Sequence, residues 1–122
     1  MKVFKFGGAS VKDADAVRNV ANILKKHQEE SLVIVISAMG KTTNALEKVV
    51  ESYVKEDGKA FDILNEIKQS HYEIIKELMG ESHEIYADVN DAFVEIEWAL
   101  EDEPHESYDY NYDQIVSVGE LV

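Results

Sequence analysis

The stretch Lys5-Phe6-Gly7-Gly8-Ala9-Ser10 puts an ammonium group, two adjacent glycines and a hydroxyl at the end of an apolar run. Successive glycines after a strand let the backbone approach a ligand closely and can turn its N–H groups into an anion-binding nest. Lys5 adds positive charge on a flexible stem just before the turn, and Ser10 adds a hydroxyl. Such a set suits a phosphoryl group in transfer, where catalysis is mostly positioning and stabilisation of developing charge. The same residues also fit a plainer reading, with Gly7-Gly8 as a tight turn and Lys5 as a solvated strand-end residue.

Two further stretches could do chemistry. "SAMGKTTNAL" supplies Ser37, small residues and Thr43 at the start of a helix. It is either a turn with a helix cap or a second polar rim beside the glycine loop. Glu120, in "SVGELV", has Ile115 and Val118 nearby and Gly119 before it. It is either a surface carboxylate or, with Gly119 opening space beside it, a group able to meet a ligand's ammonium.

These residues need elements to position them. Val3–Phe6 and Leu32–Ile36 read as strands, the second a continuous β-branched run expected of a strand covered on both faces in a parallel sheet. Between them Val17, Val20, Ala21 and Leu24 recur at helical spacing, with Asp13 as N-cap and Lys25, Lys26 and His27 in the last turn. A β-α-β unit results, normally right-handed, whose ligands gather beyond the carboxyl ends of its strands. Both candidate loops follow such ends, so they are expected near each other.

The remainder reads as helical. Asn44 to about Lys55 has an Asn44–Glu47 capping-box pattern. A second helix carries Phe61, Leu64, Ile67, His71, Ile74, Ile75 and Leu78 on one side and stops near Gly80. A third carries Ile85, Val89, Ala92, Phe93, Ile96 and Leu100, and the short joint predicts an antiparallel pair. Glu101 to Tyr112 is expected to be an acidic, aromatic loop. Asp113 is expected to cap a last helix that buries Ile115, Val118 and Val122. Two parallel strands and five helices leave much of a sheet missing, so the 122 residues are expected to be part of a longer polypeptide.

Composition narrows the partners. There are 25 Asp and Glu against 12 Lys and Arg, a formal net charge of −13. That surface repels nucleic-acid backbones. Cysteine is absent, so disulfides and thiolate metal sites are excluded. No apolar run reaches the roughly 20 residues of a membrane span and no signal peptide is evident, so the expected compartment is the cytoplasm.

Taken together, "KFGGASV", "SAMGKTTN" and "SVGE", in that order and at suitable separations, resemble the N-terminal part of the aspartate kinases, within the amino-acid kinase family. The resemblance covers essentially the whole chain, although the middle helices match only in pattern. It implies an α/β class, the N-terminal part of the carbamate kinase-like fold: parallel strands with flanking helices, helix-rich and truncated, with residues 1–122 an incomplete segment of one kinase domain. It implies ATP-dependent phosphorylation of the L-aspartate β-carboxylate to 4-phospho-L-aspartate, the first step of lysine, threonine and methionine biosynthesis, with Mg²⁺ bridging phosphate oxygens.

Site roles follow from the same matching. Lys5 would stabilise the moving phosphoryl group, Gly7 and Gly8 would bind phosphate through N–H groups, and Ser10 lies in that loop. Ser37 and Thr43 would line the aspartate end, and Glu120 would receive the substrate ammonium. No metal ligand is assigned. Ala9 stands where many members carry threonine, so it has no side-chain role. The rest of the kinase domain, including the adenine pocket, and the regulatory ACT domains would follow Val122, so the segment alone is expected to be inactive. An uncovered sheet edge favours a homo-oligomer. A glutamate or acetylglutamate kinase would share the phosphate loop, but "SAMGKTTN" and "SVGE" argue against it. The non-enzymatic alternative is an acidic helical interaction module.

Overall fold

The computed structural model describes residues 1–122, which form two compact units, Met1–Lys41 and Thr42–Val122. The first holds β1 (Lys2–Phe6), a 3-10 turn (Gly8–Val11), α1 (Ala14–Lys25) and β2 (Leu32–Ile36). The second holds α2 (Thr42–Lys55), α3 (Ala60–Met79), α4 (Ile85–Glu101) and α5 (Tyr108–Leu121). No helix is long and apolar enough to cross a membrane.

In the first unit β1 and β2 pair in parallel, in register from Lys2↔Leu32 to Phe6↔Ile36. α1 starts where the sequence predicts: the Asp13 carboxylate accepts from the Ala16 N–H at 2.8 Å, satisfying one of the donors a helix start leaves unpaired. Its apolar side packs on one face of the sheet, with Phe6, Val11 and Val20 buried and Phe4, Val17, Ile23, Leu24 and Met39 against them. Ala21, expected in that stripe, is exposed.

β2 is not covered on both faces. Val33, Ile34, Val35 and Ile36 are 41–58 % exposed. α1 is the single layer on this sheet, and one helix over two strands shields mainly the β1 side. The β-branched run therefore records a demand for cover that residues 1–122 do not meet.

In the second unit Leu46, Val49, Val50, Leu64, Phe93, Ile96 and Ile115 form the centre of the core. α3 and α4 are antiparallel: Tyr72 stacks near Tyr86 and its hydroxyl donates to Asn90, while Lys68, a turn earlier, pairs with Glu97. His71 is buried in this hairpin, its Nδ1 2.8 Å from the Ile67 carbonyl oxygen and its ring edge-on to Phe93. Phe61, placed by its spacing on the buried side, is 46 % exposed in the first turn of α3.

Two helix starts differ from expectation. α2 begins at Thr42, so Asn44 lies inside the helix and does not cap it. α5 begins at Tyr108, with the Ser107 hydroxyl oxygen accepting from the Tyr110 N–H; Asp113 is a mid-helix residue. The cause is Asn111, buried in that first turn. Its amide oxygen accepts from the His105 N–H at 2.9 Å and its NH₂ donates to the His105 carbonyl at 2.8 Å. The polar tract is thereby folded back onto the helix. Ile115, Val116 and Gly119 are the buried residues of the later turns, and Val118 and Val122 are only half-buried.

Candidate functional site

The seven candidate residues fall into two groups, one in each unit. In the first, Lys5, Gly7, Gly8, Ser10 and Ser37 gather at the carboxyl edge of the sheet. The pairing register continues one step past the strands, where the Ser37 N–H donates to the Phe6 carbonyl at 2.9 Å. Gly7 and Ser37 are thus neighbours at the strand ends. Lys5 lies opposite Val35, on the face away from Phe4 and Phe6. It is exposed and has no part in the salt bridges, which engage Lys2, Arg18, His27, Lys68 and Lys76.

The two glycines do different work. A Cβ on Gly8 would lie 2.6 Å from the Gly40 carbonyl oxygen and 3.2 Å from that of Ala38. The Gly8 carbonyl in turn accepts from the Gly40 N–H at 3.0 Å. Gly8 is therefore required by the fold, because the two loops touch backbone to backbone there. Gly40 has φ +52° and supports that contact in a conformation L side chains rarely adopt. Its structural part was not read from the sequence, although the "MG" before a helix was the available signal.

Gly7 is the contrasting case. Its φ of −77° suits any residue, and a Cβ there would meet nothing within 4 Å. Neither steric need nor backbone geometry explains this glycine. Gly7 and Gly8 open the 3-10 turn, where N–H groups lack partners inside the turn, while the Ser10 N–H is already given to the Gly7 carbonyl at 2.9 Å. An anion can thus meet the amides of the first two, and Ser10 can offer only its hydroxyl. These features fit a phosphate group.

The second group is Thr43 and Glu120, which the structure brings together. α2 and α5 run antiparallel, and the Thr43 hydroxyl donates to Glu120 Oε1 at 2.7 Å. Further along the same pair, the Tyr112 hydroxyl donates to Glu47 at 3.0 Å. That bond, assisted by burial, raises the Tyr112 hydroxyl above the usual tyrosine range. The sequence offered Glu47 only as the capping-box partner of Asn44, and Tyr112 only as the end of an acidic, aromatic tract; neither was marked as a site residue. Gly119 does not open space for Glu120 as expected: a Cβ on it would lie 2.5 Å from Leu46 Cδ1, so it is a close-packing residue between the helices.

Chemically, the first group can receive an anion and the second can receive a cation. No group of three or more His, Cys, Asp or Glu that could hold a metal ion is present. A cavity of about 290 Å³ is lined by Ser52, Tyr53, Phe61 and Leu100, among others, and includes none of the seven residues.

Comparison with known proteins gives concordant matches. The sequence matches the Amino acid kinase family over residues 1–122. It is 45 % identical over 80 residues to "Aspartokinase 1, chloroplastic" of Arabidopsis thaliana, covering 62 % of this chain and 14 % of that protein. The fold superposes on E. coli aspartokinase III in complex with aspartate and ADP (R-state), with TM-score 0.81 and 30 % identity, over 99 % of this chain and 26 % of that one. A Clostridium acetobutylicum aspartate kinase shares the fold at TM-score 0.69 and 23 % identity, over 97 % of this chain and 27 % of that one. The chain thus spans about a quarter or less of these relatives' length.

Proposed function

The chain belongs to the amino acid kinase family, and on that premise we propose that residues 1–122 are the N-terminal segment of an aspartate kinase domain. The reaction is transfer of the ATP γ-phosphoryl group to the β-carboxylate of L-aspartate. A carboxylate oxygen attacks phosphorus, the bond to the bridging oxygen of ADP breaks, and 4-phospho-L-aspartate and ADP leave. The reading makes the enzyme the first step towards lysine, threonine and methionine, with the cytoplasm as its compartment.

The observation that carries this reading is the hydrogen bond between Thr43 and Glu120. Two residues drawn from separate motifs, 77 positions apart, meet on the faces of two helices. With Thr43 donating to one carboxylate oxygen, the other is left to receive the ammonium of an amino acid. At the sheet edge, Lys5 supplies positive charge to the phosphoryl group, the Gly7 and Gly8 amides hold its oxygens, and Ser10 and Ser37 add hydroxyls at the rim. Mg²⁺ bound to the nucleotide would offset phosphate charge. Relatedness to an aspartokinase with aspartate and ADP bound supports the choice of both substrates.

The test is an assay of the whole polypeptide that carries this segment, with ATP and each of L-aspartate, L-glutamate and N-acetyl-L-glutamate, trapping acyl phosphate as hydroxamate. Turnover with aspartate is expected. Preference for glutamate or its acetylated form would replace the reading with another amino-acid kinase.

A further inference from the structure

We propose that Gly119 is a positioning residue for Glu120: its missing side chain lets α5 close on Leu46, and that closure sets the carboxylate at the Thr43 hydroxyl. The inference rests on the reading of Glu120 as receptor for the substrate ammonium. A glycine inside a helix is unfavourable in itself, so its place there calls for a packing reason. The packing is explicit. A Cβ at position 119 would lie 2.5 Å from Leu46 Cδ1, 2.7 Å from Cδ2 and 3.2 Å from Cγ. Leu46 is fully buried, in one core with Val49, Val50 and Ile115. Its branched end is fully buried, so yielding to the methyl would pass strain on to those neighbours.

The contact and the hydrogen bond lie side by side. Thr43 is three residues before Leu46 on α2, about 4.5 Å along the axis at the usual rise, and Glu120 follows Gly119 directly. Ordinary contact for the added methyl begins at 3.4 Å, so α5 would have to retreat by most of an ångström. The bond at stake is 2.7 Å long, and an O–H···O bond is largely lost beyond roughly 3.2 Å. Thr43 is short and stiff at χ1 and cannot follow. Glu120 can reach, but only by turning its carboxylate away from the orientation that leaves one oxygen for the ligand. The effect is therefore selective for the ammonium-bearing substrate.

The experiment is steady-state kinetics of the whole polypeptide carrying Gly119→Ala. Aspartate KM should rise on the order of tenfold, since sub-ångström misplacement of a binding group carries losses of this size, while ATP KM and kcat stay within about threefold. Leu46→Ala removes all three atoms the new methyl meets, so the double variant should return aspartate KM to that of Leu46→Ala alone. If Gly119→Ala does not fold, the double variant carries the test, and a raised aspartate KM in it overturns the inference. Equal losses in both KM values and kcat would reduce Gly119 to a merely structural residue. An unchanged aspartate KM in Gly119→Ala, with a raised one in Glu120→Gln, would overturn the positioning role and leave the function intact. No change in Glu120→Gln would overturn both.

Discussion

Thr43 donates its hydroxyl hydrogen to Glu120 at 2.7 Å, across a helix pair that brings together residues 77 apart in sequence. One consequence concerns what remains available to a ligand. Thr43 has a single O–H, and with that donated it can offer a substrate only lone pairs. Under the proposed function, its part at the aspartate end is to orient the carboxylate.

Glu120→Gln keeps an oxygen to accept from Thr43 and removes the charge that would meet an ammonium. A charge-assisted hydrogen bond is worth about 1.5–3 kcal/mol, so aspartate KM should rise about 10–100-fold with ATP KM little altered. Kinetics with each substrate varied in turn checks this. Equal effects on both would assign the glutamate to structure.

The two glycines of the first loop should part company. Gly8→Ala drives a methyl towards the Gly40 carbonyl oxygen at 2.6 Å, and overpacking against backbone should destabilise by about 1–3 kcal/mol. Gly7→Ala meets nothing and sits at φ −77°, so thermal stability should hold or rise by up to about 1 kcal/mol. A methyl there intrudes where a phosphate would approach, so ATP KM should increase on the order of tenfold. Melting curves beside ATP kinetics decide the matter. A Gly7→Ala enzyme with unaltered ATP KM removes Gly7 from the phosphate site.

How much of this was legible beforehand depends on the range of the forces involved. The strands and α1 were, because β-branched runs, the Asp13 cap and 3.6-residue spacing are local signals. The start of α5 was not, because Asn111 acts through bonds to His105 that give a loop-like tract a helical first turn. Nor was the exposure of β2, since an apolar run states what a strand needs and not what covers it. At the site, residue types and spacing marked Lys5, Gly7 and Glu120 as candidates and could go no further. The different work of Gly7 and Gly8, and the role of Gly119 against Leu46, depend on what lies across the interface from each.

Lys5→Ala in the whole polypeptide should lower kcat and leave aspartate KM nearly unchanged. Lys5 is exposed and outside the salt bridges, so its loss should not disturb the fold. Acting on charge that develops in the transition state, it should contribute on the order of 10²–10³ in rate, by analogy with a lost oxyanion donor. Pre-steady-state rates distinguish this from slowed product release, and a variant within about threefold of the parent would reject the role.

The 122-residue chain by itself should be inactive towards aspartate and should self-associate. Val3, Val33 and Val35 share the sheet face away from α1, and Val3 is 62 % exposed. Each of the two strands also has one unpaired edge. Face-to-face stacking would bury Lys5, which sits in the middle of that apolar face, and an unpaired buried ammonium is strongly unfavourable. Edge pairing avoids this: β2 can join a second β2 across a two-fold axis while Lys5 stays in water. The contact should therefore be sensitive to an edge proline and insensitive to Lys5. Sedimentation equilibrium at micromolar concentration should give a mass above the 13.8 kDa of one chain, returned to that value by Ile34→Pro and not by Lys5→Ala. A clean 13.8 kDa species for the parent chain would refute association, and hydroxamate formed from aspartate and ATP would refute inactivity.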